Sequence, residues 1–217
     1  MTELWPMTLE LLGGLAVSAE IFFLTLLFSL PLGLLIALGR MSRVAPVQWF
    51  FRVYISIMRG TPLMLQLFFF YFGPYYIFGV PLAGNYRFIA VILAFSLNYA
   101  AYFAEIYRAG IEAIPAGQRE AAYVLGFSRS RTFFEIIIPQ VVKRILPPVT
   151  NEVITLVKDT SLAFALSVLE MFTIAKMIAS ANTTMVPFLV AGIFYSVFNF
   201  IVAYAMERAE KALSYYR

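Results

Sequence analysis

Residues 120–139 read EAAYVLGFSRSRTFFEIIIP, a polar and basic stretch inside an otherwise apolar chain. Gly126 predicts a turn between two short helices, and Pro139 is expected to close the second helix. A membrane protein gains little from a basic loop of this length unless a soluble partner docks on it. The alternative is a solvated loop that only joins two membrane helices.

Several side chains of this loop suit a docking role. Phe127, Phe133 and Phe134 offer apolar anchors for a groove on a partner protein. Glu120 can meet basic residues of that partner. The segment therefore predicts a protein interface at one surface of the membrane.

The composition is that of a chain whose main solvent is lipid. Hydrophobic residues make up 62% of the 217 residues, charged residues only 13%, and the mean hydropathy is +0.84. A soluble domain would be about one quarter charged. Because backbone polar groups must be satisfied internally in lipid, the spans are expected to be helices and the fold all-α. The net charge of +4 need not indicate a nucleic acid partner, because its placement along the chain explains it better.

The absent residue types also exclude functions. The chain has no cysteine and no histidine, which excludes disulfides, thiolate metal sites and histidine proton relays. We expect no metal site and no cofactor in this chain. It contains no phosphate-binding Walker A glycine loop, so it is not expected to be an enzyme that hydrolyses ATP by itself.

Apolar runs long enough to cross a bilayer of roughly 30 Å predict five membrane helices in a single transmembrane domain over residues 1–217. The second is expected to be broken by Arg59-Gly60-Thr61-Pro62. The fourth is expected to bend or break at Pro147-Pro148 and to be interrupted by charge later. The predicted spans are about 11–39, 47–78, 86–107, 143–178 and 186–206, with the docking loop at about 108–142.

The distribution of basic residues predicts the orientation, since cytoplasmic segments carry the excess of Lys and Arg. With the N-terminus outside and the C-terminus inside, twelve of the sixteen basic residues fall in inner segments. The docking loop then faces the cytoplasm. The twelve are Arg40, Arg43, Arg52, Arg108, Arg119, Arg129, Arg131, Lys143, Arg144, Arg208, Lys211 and Arg217.

The fourth predicted span carries a polar stripe. At about 100° per residue, Glu152, Thr155 and Asp159 share one narrow sector, and Lys158 lies beside them. Charged groups inside a membrane usually line a wet cavity or pair with each other. A small zwitterion would find a partner for its carboxylate in Lys158 and one for its ammonium group in Glu152 or Asp159. The alternative is an internal ion pair of Lys158 that only holds helices together.

The third span carries Asn98, Tyr102 and Glu105 on one face, at i, i+4 and i+7. Asn98 and Tyr102 are candidate substrate contacts, although Tyr102 can equally be ordinary packing. Glu105 lies three residues before Arg108, and we expect these two side chains to pair.

The break in the second span is a candidate gate hinge. Pro62 removes a backbone donor, Thr61 precedes it, and Arg59 stands where it can pair with a carboxylate of a neighbouring helix. Ordinary kinked packing is the alternative interpretation.

The frame Glu120-Ala121-Ala122, followed by Gly126, Ile136, Ile138 and Pro139, resembles the cytoplasmic coupling loop of ATP-binding-cassette (ABC) importer permeases. Ile138 stands where that family often has leucine. Over nearly its whole length the chain is similar to polar amino acid permease subunits, the type that handles histidine, glutamine, arginine or cystine. The other matching blocks are Arg59-Gly60-Thr61-Pro62-Leu63, Leu97-Asn98 with Ala101-Tyr102 and Glu105, Pro115-Ala116-Gly117-Gln118, Ile138-Pro139-Gln140, Leu146-Pro147-Pro148 and Leu156-Val157-Lys158-Asp159-Thr160-Ser161-Leu162.

The resemblance implies a type I ABC importer permease in the inner membrane of a prokaryote. Such a permease passes a polar amino acid across the membrane by alternating access. Its implied partners are two copies of an ATPase that binds ATP and Mg²⁺, a second permease subunit and an extracytoplasmic solute-binding protein. We favour a homodimer over a heterodimer. The coupling residues implied by the family motif are Glu120, Ala121, Ala122, Gly126 and Phe127.

Two other functions remain possible from the sequence. A secondary amino acid transporter driven by an ion gradient would usually show internal repeats, and none is visible here. A channel would not explain a docking loop between the third and fourth spans.

Overall fold

The computed structural model describes residues 4–82 and 84–213, which form helices joined by short turns. Arg217, one of the basic residues counted for the orientation, lies outside the described residues. The elements are α1 (Leu4–Arg40), α2 (Ala45–Gly60), α3 (Leu63–Phe78), α4 (Tyr86–Glu112), α5 (Ala116–Val124), α6 (Arg129–Arg131), a π-helix (Thr132–Ile137), α7 (Ile138–Asp159), a 3-10 helix (Thr160–Leu166), α8 (Met171–Asn182) and α9 (Val186–Ala212).

The predicted all-α membrane fold is confirmed. Over the described ranges, α1, α4 and α9 are each long and apolar enough to cross a membrane, and two bent helix pairs bring the number of spans to five if each pair counts as one. One pair joins α2 to α3 and the other joins residues 129–166 to α8. The first pair matches the second predicted span. The second pair contains the fourth predicted span but begins at residue 129, within the predicted docking loop.

The break in the second span is sharper than an ordinary kink, because the axes of α2 and α3 differ by 112°. Each arm has 16 residues, or about 24 Å of helix. Thr61 is extended, with ψ 145°, as expected for a residue that precedes proline. The local rule for proline therefore predicts this break correctly.

The helix does not break at Pro147-Pro148, so this part of the expectation is wrong. Helix α7 continues through both prolines to Asp159. Both prolines are exposed, whereas Val141, Val149 and Val153 are buried. Prolines are tolerated in membrane helices when packing and local adjustment compensate for the lost hydrogen bonds. The interruption comes later, where the chain turns into a 3-10 helix and bends by 57° into α8.

Helix α4 is the most buried element and packs along α1. Ala100, Ala101 and Ala104 are fully buried. A methyl group added to Gly33 of α1 would lie 2.9 Å from Cβ of Phe103. Small residues thus let the two backbones approach closely, as they do in other membrane helix pairs.

The connection between α4 and α7 differs from the expected pair of short helices. Helix α5 is short, but the second helical segment runs without interruption into α7, so Pro139 does not close it. A π-helical turn precedes Pro139, with the Ile138 N–H donating to the carbonyl of Phe133. Since a proline has no N–H to donate, a widened turn beside it accommodates the missing bond.

Candidate functional site

A cavity of about 430 Å³ lies between α4 and α7, with the end of α2 at its rim. Its volume is in the range of small-molecule sites. Its wall carries charges of both signs, Arg59 and Arg144 against Glu105 and Glu152, together with the ring of Tyr102. The rest of the lining is Ile106, Ala109, Gly110, Ala113, Ile145 and Pro148.

Two of the four charged side chains have hydrogen-bonding partners among the described residues. Glu105 accepts from Arg108, with 2.7 Å between Oε2 and Nη2, so the predicted pairing is confirmed. Arg144 donates to the carbonyl of Ala113 at 2.6 Å. Arg59 and Glu152 form no ion pair among the described residues. They are the two charges of this wall that remain available to a ligand.

Arg59 contacts the ring of Tyr102, its guanidinium carbon lying 5.1 Å from the ring centroid. This geometry is that of a cation–π contact. It holds the guanidinium beside the cavity without neutralising its charge. The carboxylate partner that the sequence allowed for Arg59 is not found among the ion pairs of the described residues.

The remaining residues of the polar stripe do not line this cavity. Thr155 and Lys158 are exposed, and Asp159 accepts a hydrogen bond of 2.8 Å from the hydroxyl of Tyr99. The ion pair of Lys158 that the sequence left open is absent from the described residues. The structure thus brings Glu152 and Tyr102 together with Arg59, and leaves Thr155, Lys158 and Asp159 farther along α7.

Asn98 is buried and does not line the cavity. Its side-chain nitrogen donates to the carbonyl of Met58 at 2.9 Å and to Oε1 of Gln66 at 3.0 Å. Gln66 in turn donates to the Met58 carbonyl at 2.9 Å and to Oγ1 of Thr61 at 2.8 Å. Asn98 therefore faces the break between α2 and α3. The polar side chain of Gln66 within an apolar helix was the signal that sequence reasoning missed.

The turn at Gly126 is a Schellman motif that ends α5. The N–H of Phe127 donates to the carbonyl of Ala122, and the N–H of Gly126 donates to that of Tyr123, both at 3.0 Å. Gly126 has φ +79°, in the left-handed region that favours glycine. The turn predicted from the sequence is therefore present.

The surface around this turn presents apolar side chains to the outside. Tyr123, Val124 and Leu125 are 79%, 83% and 74% exposed. We call these three residues the apolar tip. Sequence reasoning missed it, although three apolar residues in a row within a polar loop could have revealed it.

The residues named from the family motif surround the apolar tip. Glu120, Ala121 and Gly126 are exposed, whereas Ala122 is buried. Phe127 is half-buried and lies 4.5 Å from the guanidinium of Arg131. Among the predicted aromatic anchors, Phe134 is the exposed one, at 68%.

Glu170 is a further residue that the sequence did not single out. It is fully buried and caps α8 by accepting from the N–H groups of Phe172 and Thr173, both at 2.7 Å. The hydroxyl of Tyr195 on α9 donates to it at 3.1 Å. This carboxylate therefore fixes the start of α8 against α9. No cluster of three or more metal-ligating side chains occurs within residues 4–82 and 84–213.

The chain is similar in sequence to several known permease proteins. The chain is 39% identical over 215 residues to the L-cystine transport system permease protein TcyB of Bacillus subtilis (strain 168), covering 98% of this chain and 88% of that protein. It is 35% identical over 204 residues to the arginine transport system permease protein ArtQ of the same organism, covering 94% and 92%.

A solved amino acid ABC transporter, crystallised with histidines, contains a chain with the same fold. Its TM-score to this protein is 0.85 at 32% identity, with 94% of each chain covered. The MetNI methionine ABC transporter shares the fold at a TM-score of 0.73 and 18% identity, covering 99% of this chain and 100% of that one.

The family described as the binding-protein-dependent transport system inner membrane component matches residues 29–215. That range includes α4, the turn at Gly126 and both bent pairs. The resemblance to amino acid ABC permeases is thereby confirmed, and the chain belongs to the family of binding-protein-dependent transport system inner membrane components.

Proposed function

We propose that residues 1–217 form one transmembrane permease domain of an ATP-driven importer, which passes a polar amino acid such as arginine, glutamine or cystine by alternating access. The observation that carries this proposal is the apolar tip on a polar turn between α4 and α7. Exposed apolar groups rimmed by polar residues mark protein interfaces. The cystine and arginine permeases among the relatives support the substrate class.

The partner at the apolar tip is an ATPase subunit, present in two copies, each binding ATP and Mg²⁺. Its groove takes up Tyr123, Val124 and Leu125, while Glu120 and Ala121 lie at the edge of the contact. Gly126 and Phe127 set the direction in which the chain continues after the end of α5. Closure of the ATPases on ATP pushes this turn, and the push shifts the permease between two states that different ligands favour.

The remaining partners follow the family. A second permease subunit, most simply a second copy of this chain, faces the cavity side, and an extracytoplasmic solute-binding protein delivers the amino acid. The basic residues near the docking turn favour an inner-membrane orientation with the N-terminus outside and the C-terminus in the cytoplasm. ATP is then available on the side where the ATPase docks.

The cavity supplies the substrate contacts. The guanidinium of Arg59 can bind the α-carboxylate of an amino acid, since arginine matches carboxylate geometry. Glu152 across the wall can accept hydrogen bonds from its ammonium group, and Tyr102 packs beside both. Thr155 and Lys158 extend the polar face of α7 beyond the cavity, so they contact substrate at another stage of passage. Asp159 positions Tyr99 in this proposal, and Thr61 and Pro62 form the hinge beside Arg59.

Site-specific crosslinking tests the docking claim. In a complex purified with its ATPase, we expect Leu125→Cys to form a bond with a cysteine introduced into the ATPase groove, in a manner that changes with ATP. Tyr76→Cys is the control, because Tyr76 is equally exposed, at 77%, at the far end of α3. Crosslinking from position 76 but not from position 125 would refute the docking site.

The alternative is a secondary transporter or a channel that needs no nucleotide. Such a protein would purify without an ATPase and would move amino acid in response to an ion gradient alone. Uptake measured with and without the ATPase separates these possibilities.

A further inference from the structure

The backbone at the break between α2 and α3 lacks a donor that the side chains of Gln66 and Asn98 replace. In a continuous helix, the carbonyl of Met58 would accept from the N–H of residue 62. That residue is Pro62, which has no N–H. An unsatisfied carbonyl is costly in a membrane, where water does not replace the missing partner.

The side chains of Asn98 and Gln66 both donate to this carbonyl, each at 2.9 Å. Gln66 also donates to the carbonyl of Thr61 at 3.1 Å, and the Thr61 hydroxyl donates to the carbonyl of Ile57 at 2.8 Å. Three carbonyls freed at the break are thus satisfied by side chains. We call Gln66, Asn98 and Thr61 the brace.

The brace crosses from α2 and α3 to the central helix α4. Asn98 holds the carbonyl of Met58, and the next residue along α2, Arg59, lies over Tyr102, one turn after Asn98 on α4. The hydrogen bond and the cation–π contact are therefore consecutive connections between the same two helices. The position of Arg59 at the cavity wall follows from the first connection.

We propose that Gln66 and Asn98 are positioning residues of the transport site: they replace the donor that Pro62 lacks, hold the end of α2 against α4, and thereby place Arg59 at the cavity. The second part of this inference rests on the proposed role of Arg59 in binding substrate. Asn98 then acts on substrate affinity through Arg59 and does not touch the amino acid.

A double-mutant cycle of Asn98→Leu with Pro62→Ala tests whether these side chains replace the donor that Pro62 lacks. Alanine lifts the steric restriction that keeps Thr61 extended before a proline and restores an N–H at position 62. Helix α2 can then continue through Thr61, so that this N–H donates to the Met58 carbonyl and the brace becomes dispensable. In the native background, Asn98→Leu leaves the Met58 carbonyl with one donor instead of two and removes the donor to Oε1 of Gln66. We therefore expect the half-saturating substrate concentration for uptake to rise roughly tenfold. In the Pro62→Ala background the same substitution should change it less than about threefold. Gln66→Leu should follow the same pattern.

A double-mutant cycle of Asn98→Leu with Arg59→Gln tests whether Asn98 acts on substrate affinity through Arg59. If Asn98 acts through Arg59, adding Asn98→Leu to Arg59→Gln should raise the half-saturating concentration little further, whereas independent contacts would multiply. Ser96→Ala is the matched control, because it removes a buried polar atom from α4 that has no hydrogen-bond partner among the described residues. We expect Ser96→Ala to leave the half-saturating concentration unchanged in the native chain and in the Pro62→Ala and Arg59→Gln backgrounds.

Where a variant transports too slowly for uptake to be measured, the double-mutant cycle of Asn98→Leu with Pro62→Ala can be measured from the melting temperature of the purified complex. If the Asn98→Leu variant forms a stable complex only when combined with Pro62→Ala, the brace is supported. If it forms no stable complex in either the native or the Pro62→Ala background, the brace is overturned. An equal effect of Asn98→Leu on uptake in both backgrounds would also overturn it and would favour direct substrate contact. If Arg59→Gln leaves half-saturation unchanged, the proposed substrate site fails, while the cycle read from melting still decides the brace.

Discussion

Replacing Gly126 tests the docking turn with little disturbance elsewhere. Its φ is +79°, and a Cβ added there meets no heavy atom within 4 Å apart from its chain neighbours. A side chain at this position therefore acts through backbone strain rather than through a clash. The strained residue is the one that closes the Schellman motif beside the apolar tip.

The left-handed region costs an L-residue about 1–2 kcal/mol, and asparagine is among the residues that tolerate it. Because 1.4 kcal/mol corresponds to roughly a factor of ten in an equilibrium constant, we expect Gly126→Val to reduce the ratio of formed to unformed turn by about 5- to 30-fold. Gly126→Asn should reduce it by no more than about threefold.

The assay is ATP hydrolysis stimulated by the loaded solute-binding protein, in a complex of permease and ATPase reconstituted in vesicles. Stimulation should follow the order glycine, asparagine, alanine, valine at position 126. Gly117→Val is the control, since Gly117 lies at the opposite end of α5 with open space around it and no positive φ. Full stimulation with Gly126→Val, or equal losses with Asn and Val, would show that coupling does not depend on the positive φ at position 126.

Three further predictions concern other parts of the molecule. Glu152→Gln should raise the half-saturating concentration for uptake roughly tenfold by removing a charge-assisted contact, whereas Lys158→Gln should change it less; the reverse order would place the site farther along α7. Leu125→Asp should lower the yield of ATPase that copurifies with the permease, because it puts a charge into an apolar interface core, and an unchanged stoichiometry would count against the apolar tip. Glu170→Ala should lower the free energy of unfolding by about 0.5–2 kcal/mol, since it removes the N-cap of α8, and a differential melting scan that shows no decrease would contradict this role.

Features that depend on neighbouring residues could be predicted from the sequence. The turn at Gly126 follows from the backbone freedom of glycine, and the break at Pro62 from its missing donor. The pairing of Glu105 with Arg108 follows from their spacing on one helix. The five spans follow from hydropathy, because lipid requires long apolar helices.

Features that depend on distant residues could not be predicted. The break at Pro62 shows that the carbonyl of Met58 is free. It does not show that Asn98, 40 positions after Met58, supplies the donor. Periodicity placed Asp159 in the same sector as Glu152, yet it gives no sign that Tyr99 of another helix engages Asp159. At Pro147-Pro148 the local rule predicts a break, whereas α7 continues with its apolar face packed against the core.

In the proposed function, nucleotide hydrolysis by a docked partner drives amino acid passage through this chain. The most direct test is uptake of a labelled amino acid into vesicles that contain the permease and its ATPase, with the binding protein outside and ATP inside. We expect uptake that needs all three components and stops when a non-hydrolysable nucleotide replaces ATP. Equal uptake by the permease alone under an ion gradient would contradict it.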